Sequence, residues 1–124
     1  MHTILVVEDD PNQEYLYEEE LREEGYQVLC AANGREAIRL VEEHRPDLAV
    51  LDINMPVMDG LECLGRILEL QPKLPIIIYT AYPAYQDSFL SWAADAYLVK
   101  KSDLTELKAC IGKLLAQAPD VPFS

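Results

Sequence analysis

The chain has 124 residues, with 10 basic and 22 acidic side chains for a formal net charge of −12, and half of its residues are hydrophobic. That length suits one domain, the apolar fraction suffices for a packed core, and the acid excess with scattered Lys and Arg argues against binding a nucleic acid or an anionic membrane. Cys30, Cys63 and Cys110 are too widely spaced for a disulfide framework or a Cys-x-x-Cys zinc site and read as small hydrophobes.

Strand and helix signals alternate along the chain. Ile4-Leu5-Val6-Val7 is a short continuous apolar run, which suits a strand buried on both faces. Asp10-Pro11-x-Gln13 reads as a helix start, and that helix runs to about Glu24 before Gly25. Gln27–Ala31 is a second strand, and Asn33-x-x-Glu36 is a capping box opening a helix to about Glu43. Leu48–Leu51 is a third strand. Asp59-x-x-Glu62 is expected to cap a third helix that stops before Pro72. The β-branched run Ile76–Tyr79 is a fourth strand, a helix with weaker signals spans about Tyr85 to Ala93, and Ala96–Val99 is a fifth strand. Ser102 is expected to cap a last helix reaching about Gln117. Residues 1–117 form the expected domain, and 118–124, with two prolines, read as a flexible tail or linker stub. No apolar run approaches the roughly 18 residues of a membrane span, and Met1-His2-Thr3 has no basic leader, so the expected location is cytoplasmic.

Five βα units imply an α/β fold with a parallel sheet covered by helices on both faces. The flavodoxin-like (βα)5 order 2-1-3-4-5 puts the second strand at an edge and makes the other four neighbours. Ligands in such sheets sit beyond the carboxyl ends of the strands. Glu8, Asp9 and Asp10 follow strand one, Asp52 strand three, Thr80 strand four, and Lys100 with Lys101 strand five. Clustered carboxylates without His or Cys call for a hard cation, Mg²⁺ first and Mn²⁺ second. An Asp is also a nucleophile that forms aspartyl phosphates, and phosphoryl transfer needs positioning and charge neutralisation, which a metal, a Lys and a hydroxyl supply. Asp10 is explained by capping alone.

Leu5-Val6-Val7-Glu8-Asp9-Asp10, Leu51-Asp52-Ile53-Asn54-Met55-Pro56-Val57-Met58-Asp59-Gly60, Tyr79-Thr80-Ala81 and Tyr97-Leu98-Val99-Lys100 together resemble the signature blocks of response regulator receiver domains. The single-domain chemotaxis response regulator is the familiar example. The similarity covers about residues 3 to 117, and the D-x-x-M-P-x-M-D-G block is very specific. The resemblance implies that Asp52 accepts a phosphoryl group from a sensor histidine kinase or phosphotransfer protein. It implies Mg²⁺ held by Glu8, Asp9, Asp52 and the backbone carbonyl of Asn54, with Asp9 the direct ligand and Glu8 acting mostly through water. Thr80 and Lys100 would engage phosphoryl oxygens, and Tyr97 matches the switch aromatic that moves with Thr80. The output would be a changed surface on strand four, the helix after it and strand five. A downstream protein would read it, or an effector domain if the chain is a truncated receiver. Such a domain assists its own phosphorylation and dephosphorylation without being an enzyme in the conventional sense.

Two positions depart from the family pattern. Lys101 stands where the family usually has Pro after a cis peptide, and a cis Lys100–Lys101 bond is weakly favoured here despite its cost of about 3–4 kcal/mol, because Lys100 must still point into the site. Tyr82, two residues past Thr80, is expected to border the path of hydrolytic water and to slow it by its bulk. Tyr79 and Phe89 read as core, while Tyr82, Tyr85 and Trp92 are divided between core and an interaction face. The acidic residues Glu18, Glu19, Glu20, Glu23 and Glu24 read as a solvated helix face, with a docking surface for a basic partner as the alternative. His2 and His44 have no sequence neighbours that suit a ligand set.

Other function classes fit less well. A flavin module needs a Ser/Thr/Gly-rich phosphate loop after strand one, where Glu8-Asp9-Asp10 stands instead. A phosphatase acting on external substrates needs a deeper pocket and an acid for the leaving group. A phosphorylation-independent interaction module on the same fold is the main alternative, and the complete set of Glu8, Asp9, Asp52, Thr80 and Lys100 argues against it.

Overall fold

A computed structural model describes residues 1–52, 57–81 and 94–117, with side chains described over the same ranges except 57–61 and 117. Five parallel strands, β1 (Thr3–Val7), β2 (Gln27–Ala31), β3 (Leu48–Leu51), β4 (Ile76–Thr80) and β5 (Ala96–Val99), form one sheet of order β2-β1-β3-β4-β5. The described helices are α1 (Pro11–Glu23), α2 (Gly34–His44), α3 (Val57–Leu70) and α4 (Thr105–Gln117). The helix expected around Tyr85 to Ala93 and the tail 118–124 lie outside the described residues.

The continuous apolar runs are explained by burial on both sides of the sheet. Leu5, Val7, Ala49, Leu51, Ile76 and Ile78 pack with Ala37, Leu40 and Val41 of α2 and Cys63, Leu64 and Ile67 of α3. The alternate residues Ile4, Val6, Leu48, Val50, Ile77 and Tyr79 pack with Tyr17 and Leu21 of α1 and Leu107 and Ile111 of α4. The sheet is therefore a middle layer, with α2 and α3 on one face and α1 and α4 on the other. Polar groups also secure its amino-terminal edge: Thr3 N donates to Asp47 Oδ2 at 2.7 Å, and Ile76 N donates to Asp95 Oδ2 at 2.8 Å.

Local chemistry sets the helix ends. Asp10 accepts from Asn12 N at 2.9 Å, with Pro11 opening α1. At the other end Gly25 takes φ +95°, Gly25 N donates to Arg22 O and Tyr26 N donates to Leu21 O, a Schellman closure that needs the left-handed region. In α2, Asn33 accepts from Glu36 N at 2.9 Å, and the Glu36 carboxylate returns to Ala32 N at 2.8 Å. Two expected caps are not the ones used. α3 begins at Val57, which leaves Asp59 inside the helix and not at its cap. α4 begins at Thr105, and its N–H is taken by Asp103 Oδ1 at 3.0 Å rather than by Ser102, because a carboxylate is the stronger acceptor for an exposed helix start. The same bond from Thr105 N–H holds the Asp103 carboxyl below its ordinary range.

Candidate functional site

Strand register carries the site residues to one end of the sheet. Val7 lies opposite both Ala31 and Leu51, and the ladder continues one residue past each strand. Glu8 N donates to Ala31 O at 2.9 Å, Asp52 N to Val7 O at 3.1 Å, and Lys100 N to Thr80 O at 2.7 Å. The backbone of each charged residue is thus fixed by the sheet itself. Side chains alternate along a strand. Glu8 continues the series Ile4 and Val6, Asp52 continues Leu48 and Val50, and Lys100 continues Ala96 and Leu98. All three series pack on the α1/α4 face, so the three polar side chains emerge on the same side.

They meet there. Lys100 Nζ lies 2.7 Å from Asp52 Oδ2 and 2.9 Å from Glu8 Oε1. Glu8 and Asp52 are only 2% and 3% exposed. Burying two carboxylates side by side is costly unless a cation pairs them. The Glu8 carboxyl is held above its ordinary range, first by burial and also by the neighbouring Asp52, with Lys100 opposing both. Burial pulls the Lys100 ammonium down, but its bonds to Asp52 and Glu8 outweigh this and hold it above its ordinary range. Glu8 Oε2 also accepts from Asp10 N at 3.2 Å.

Carboxylate oxygens of Glu8, Asp9 and Asp52 lie within 4.8 Å of one another, with Asp9 exposed toward solvent. An all-oxygen donor set of this kind fits a hard divalent cation and offers nothing to a thiophilic metal. Thr80 is fully buried at the carboxyl end of β4, and Tyr97 is buried in the core on the α2/α3 side of the sheet. The structure thus brings together Glu8, Asp9, Asp52 and Lys100. Asn54 and Tyr82, together with Tyr85, Phe89 and Trp92, lie outside the described residues.

The Lys100–Lys101 peptide is trans, which corrects the expectation of a cis bond. The trans chain still delivers Lys100 to Asp52 because the side chain hangs from a residue already bonded to Thr80 O. Tyr79 is core, as read from the sequence, and its ring packs edge-on against Tyr17 with centroids 5.9 Å apart. Sequence reasoning did not single out Tyr17. Its hydroxyl lies 3.4 Å from Glu8 Oε1 and 3.0 Å from Gln13 Oε1. The signal was a phenol at an inward position of α1, one turn before the buried Leu21, where a polar tip needs a partner.

Comparison with known proteins agrees with this geometry. The family model described as the response regulator receiver domain matches residues 4–112. The transcriptional regulatory protein PrrA of Mycobacterium tuberculosis is 40% identical over 114 residues, covering 90% of this chain and 49% of that protein. The chain therefore spans about half the length of that curated relative, or less in the case of ZraR of Escherichia coli, where it spans 27%. An uncharacterised 14.6 kDa protein of Leptolyngbya boryana is 42% identical over 123 residues, covering 94% of this chain and 93% of that one. Among solved structures, the response regulator TrrA of Thermotoga maritima, in complex with Mg²⁺-BeF, is 46% identical at a TM-score of 0.84, covering 92% of this chain and 99% of that one. TrrA in complex with the histidine kinase ThkA superposes with a TM-score of 0.83, also at 46% identity, covering 93% of this chain and 99% of the other. With its strand order, its buried Asp52 and Lys100 pair and a family match over nearly its whole length, the chain belongs to the response regulator receiver domains of two-component signalling.

Proposed function

We propose that this domain takes a phosphoryl group from the phosphohistidine of a sensor histidine kinase or phosphotransfer protein onto Asp52, with Mg²⁺ bound by Glu8, Asp9, Asp52 and the Asn54 carbonyl. The observation that carries the reading is the buried Asp52 carboxylate with one oxygen on Lys100 Nζ and two further carboxylates beside it. An Asp52 oxygen attacks phosphorus, the P–N bond to the donor imidazole breaks, and the imidazole leaves with its electron pair and takes up a proton. The metal, when bound, neutralises charge on the phosphoryl oxygens and on the acidic cluster. Lys100 supplies a positive charge to a phosphoryl oxygen, and the Thr80 hydroxyl donates to another. The capture of Mg²⁺-BeF by TrrA and the TrrA complex with ThkA support the metal and the kinase as the partners.

The domain acts on its own carboxylate and has no separate substrate, so it is not an enzyme in the conventional sense. Thr80 on β4 and Tyr97 on β5 lie on paired strands, with Ile78 opposite Tyr97, which supports a shared movement that alters the outer surface of these strands. A downstream protein, or an effector domain of a longer chain, would read that surface. Phosphotransfer profiling with radiolabelled, autophosphorylated histidine kinases of the host tests the reading. Label should move from one kinase to this chain within seconds in Mg²⁺, stay with the kinase in EDTA, and be lost from the chain in alkali as an acyl phosphate. Transfer that is indifferent to EDTA, or alkali-stable label, would reject it.

A further inference from the structure

Tyr17 is 1% exposed, yet its polar end faces the acidic site and not solvent. Its ring is part of the core between α1 and the sheet and packs against Tyr79. Any large hydrophobe serves that purpose, so packing does not account for the hydroxyl. The hydroxyl has two acceptors in reach, Glu8 Oε1 at 3.4 Å and Gln13 Oε1 at 3.0 Å, and only one proton to give. A half-turn of the Gln13 amide resolves the conflict. Nε2 then donates to the phenol oxygen, and the phenol proton goes to Glu8.

We propose that Tyr17 is a positioning residue of the metal site: its buried hydroxyl donates to Glu8 Oε1 and fixes the direction of that carboxylate when Lys100 changes partner. Glu8 Oε1 is shared by Lys100 Nζ at 2.9 Å and the Tyr17 hydroxyl at 3.4 Å, while Glu8 Oε2 is held by Asp10 N at 3.2 Å. Phosphorylation draws the Lys100 charge toward the phosphoryl group. Tyr17 is then the side-chain donor left on Glu8 Oε1 among the described contacts, and it cannot swing away because its ring is locked in the core. Partners of this kind orient metal-binding carboxylates and tune affinity without touching the ion. Burial, and then the charge of Glu8, hold the phenol well above its ordinary range, so it is a protonated donor throughout the neutral range.

The inference rests on the metal reading above, and the test separates the two. Tyr17→Phe keeps the ring and removes the donor. Mg²⁺ affinity, read by tryptophan fluorescence, should weaken about threefold, a smaller loss than is usual for partners of directly bound ligands because Glu8 is expected to act through water. In a Glu8→Gln background the same substitution should add nothing. In EDTA the ¹³C resonance of the Glu8 carboxyl should move in Tyr17→Phe. Parental affinity together with an unmoved Glu8 resonance would overturn the role of Tyr17, as would an equal loss in the Glu8→Gln background, which would mark a packing effect. A parent chain that binds no Mg²⁺ would overturn the metal reading instead. The Glu8 resonance in EDTA would then decide the Tyr17 contact by itself: movement supports it, and no movement rejects it.

Discussion

Lys100 Nζ reaches Asp52 Oδ2 at 2.7 Å although their strands, β5 and β3, are separated by β4. Adjacent strands stand about 4.8 Å apart, so the side chain spans two strand spacings, which only a long cationic side chain can do. The Lys100 side chain is 17% exposed, and its ammonium offsets two carboxylates that are almost fully buried. It therefore holds the metal-free site together electrostatically, in the position that the proposed phosphoryl chemistry requires.

Removing that charge leaves Glu8 and Asp52 buried next to each other without the cation that pairs them among the described contacts. Lys100→Met keeps most of the stem and should destabilise the metal-free domain by about 3 kcal/mol, at the lower end for breaking a buried pair, since Asp10 N still bonds Glu8. Urea unfolding in EDTA measures this. Saturating Mg²⁺ should return part of the loss, because the ion replaces the missing charge. Parental stability in EDTA would mean that the carboxylates do not depend on Lys100.

Asp9 is the exposed member of the acidic cluster and the one free to take a cation directly. Asp9→Ala should weaken Mg²⁺ binding at least tenfold, about 1.4 kcal/mol. Glu8→Ala should cost less, because Glu8 is expected to act mostly through water. Fluorescence titration of both variants checks the order, and unchanged affinity in Asp9→Ala would remove the metal assignment.

Alkaline pH should weaken the fold. Burial pushes the Cys30 thiol from near 9 up to about 12. Lys100 is also raised, since its bonds to Asp52 and Glu8 outweigh the burial that lowers it. In both cases the unfolded chain gives up its proton at a lower pH than the folded chain. Their contributions are thus complete below about pH 9 for Cys30 and below the ordinary lysine range for Lys100, and they are lost as pH rises through the folded values. Urea midpoints should fall between pH 8 and pH 10.5, and Cys30→Ala should shrink the fall. A midpoint that does not change with pH over that interval would contradict the burial assigned to Cys30.

The fold was legible because each strand is a short apolar run and each connection carries a turn or cap signal. β2, β3 and β5 have the bounds expected of them, and Asp10, Asn33 and Gly25 act at the helix ends as their chemistry suggests. Glu8, Asp9, Asp52 and Lys100 were legible because polar residues at the ends of buried strands are unusual and the sheet order forces them together. Three features were not. Asp59 and Ser102 are plausible caps by residue type, but α3 already runs from Val57, and at α4 the Thr105 N–H goes to the stronger acceptor Asp103. The Lys100–Lys101 peptide is trans, the default for a bond that does not precede proline, and Lys100, paired through its backbone to Thr80, reaches Asp52 without the strained form. Tyr17 escaped notice because a tyrosine on an amphipathic helix reads as core, and only the folded chain shows its hydroxyl beside Glu8.

The central claim is that Asp52 is the phosphoryl acceptor, and mass spectrometry of the chain after incubation with Mg²⁺ and acetyl phosphate tests it most directly. Asp52→Asn preserves shape and removes the nucleophilic carboxylate. The parent should gain one phosphate that is lost in EDTA-quenched alkali, and the variant should gain none. A variant phosphorylated to the parental level would contradict the assignment and move the acceptor to another residue.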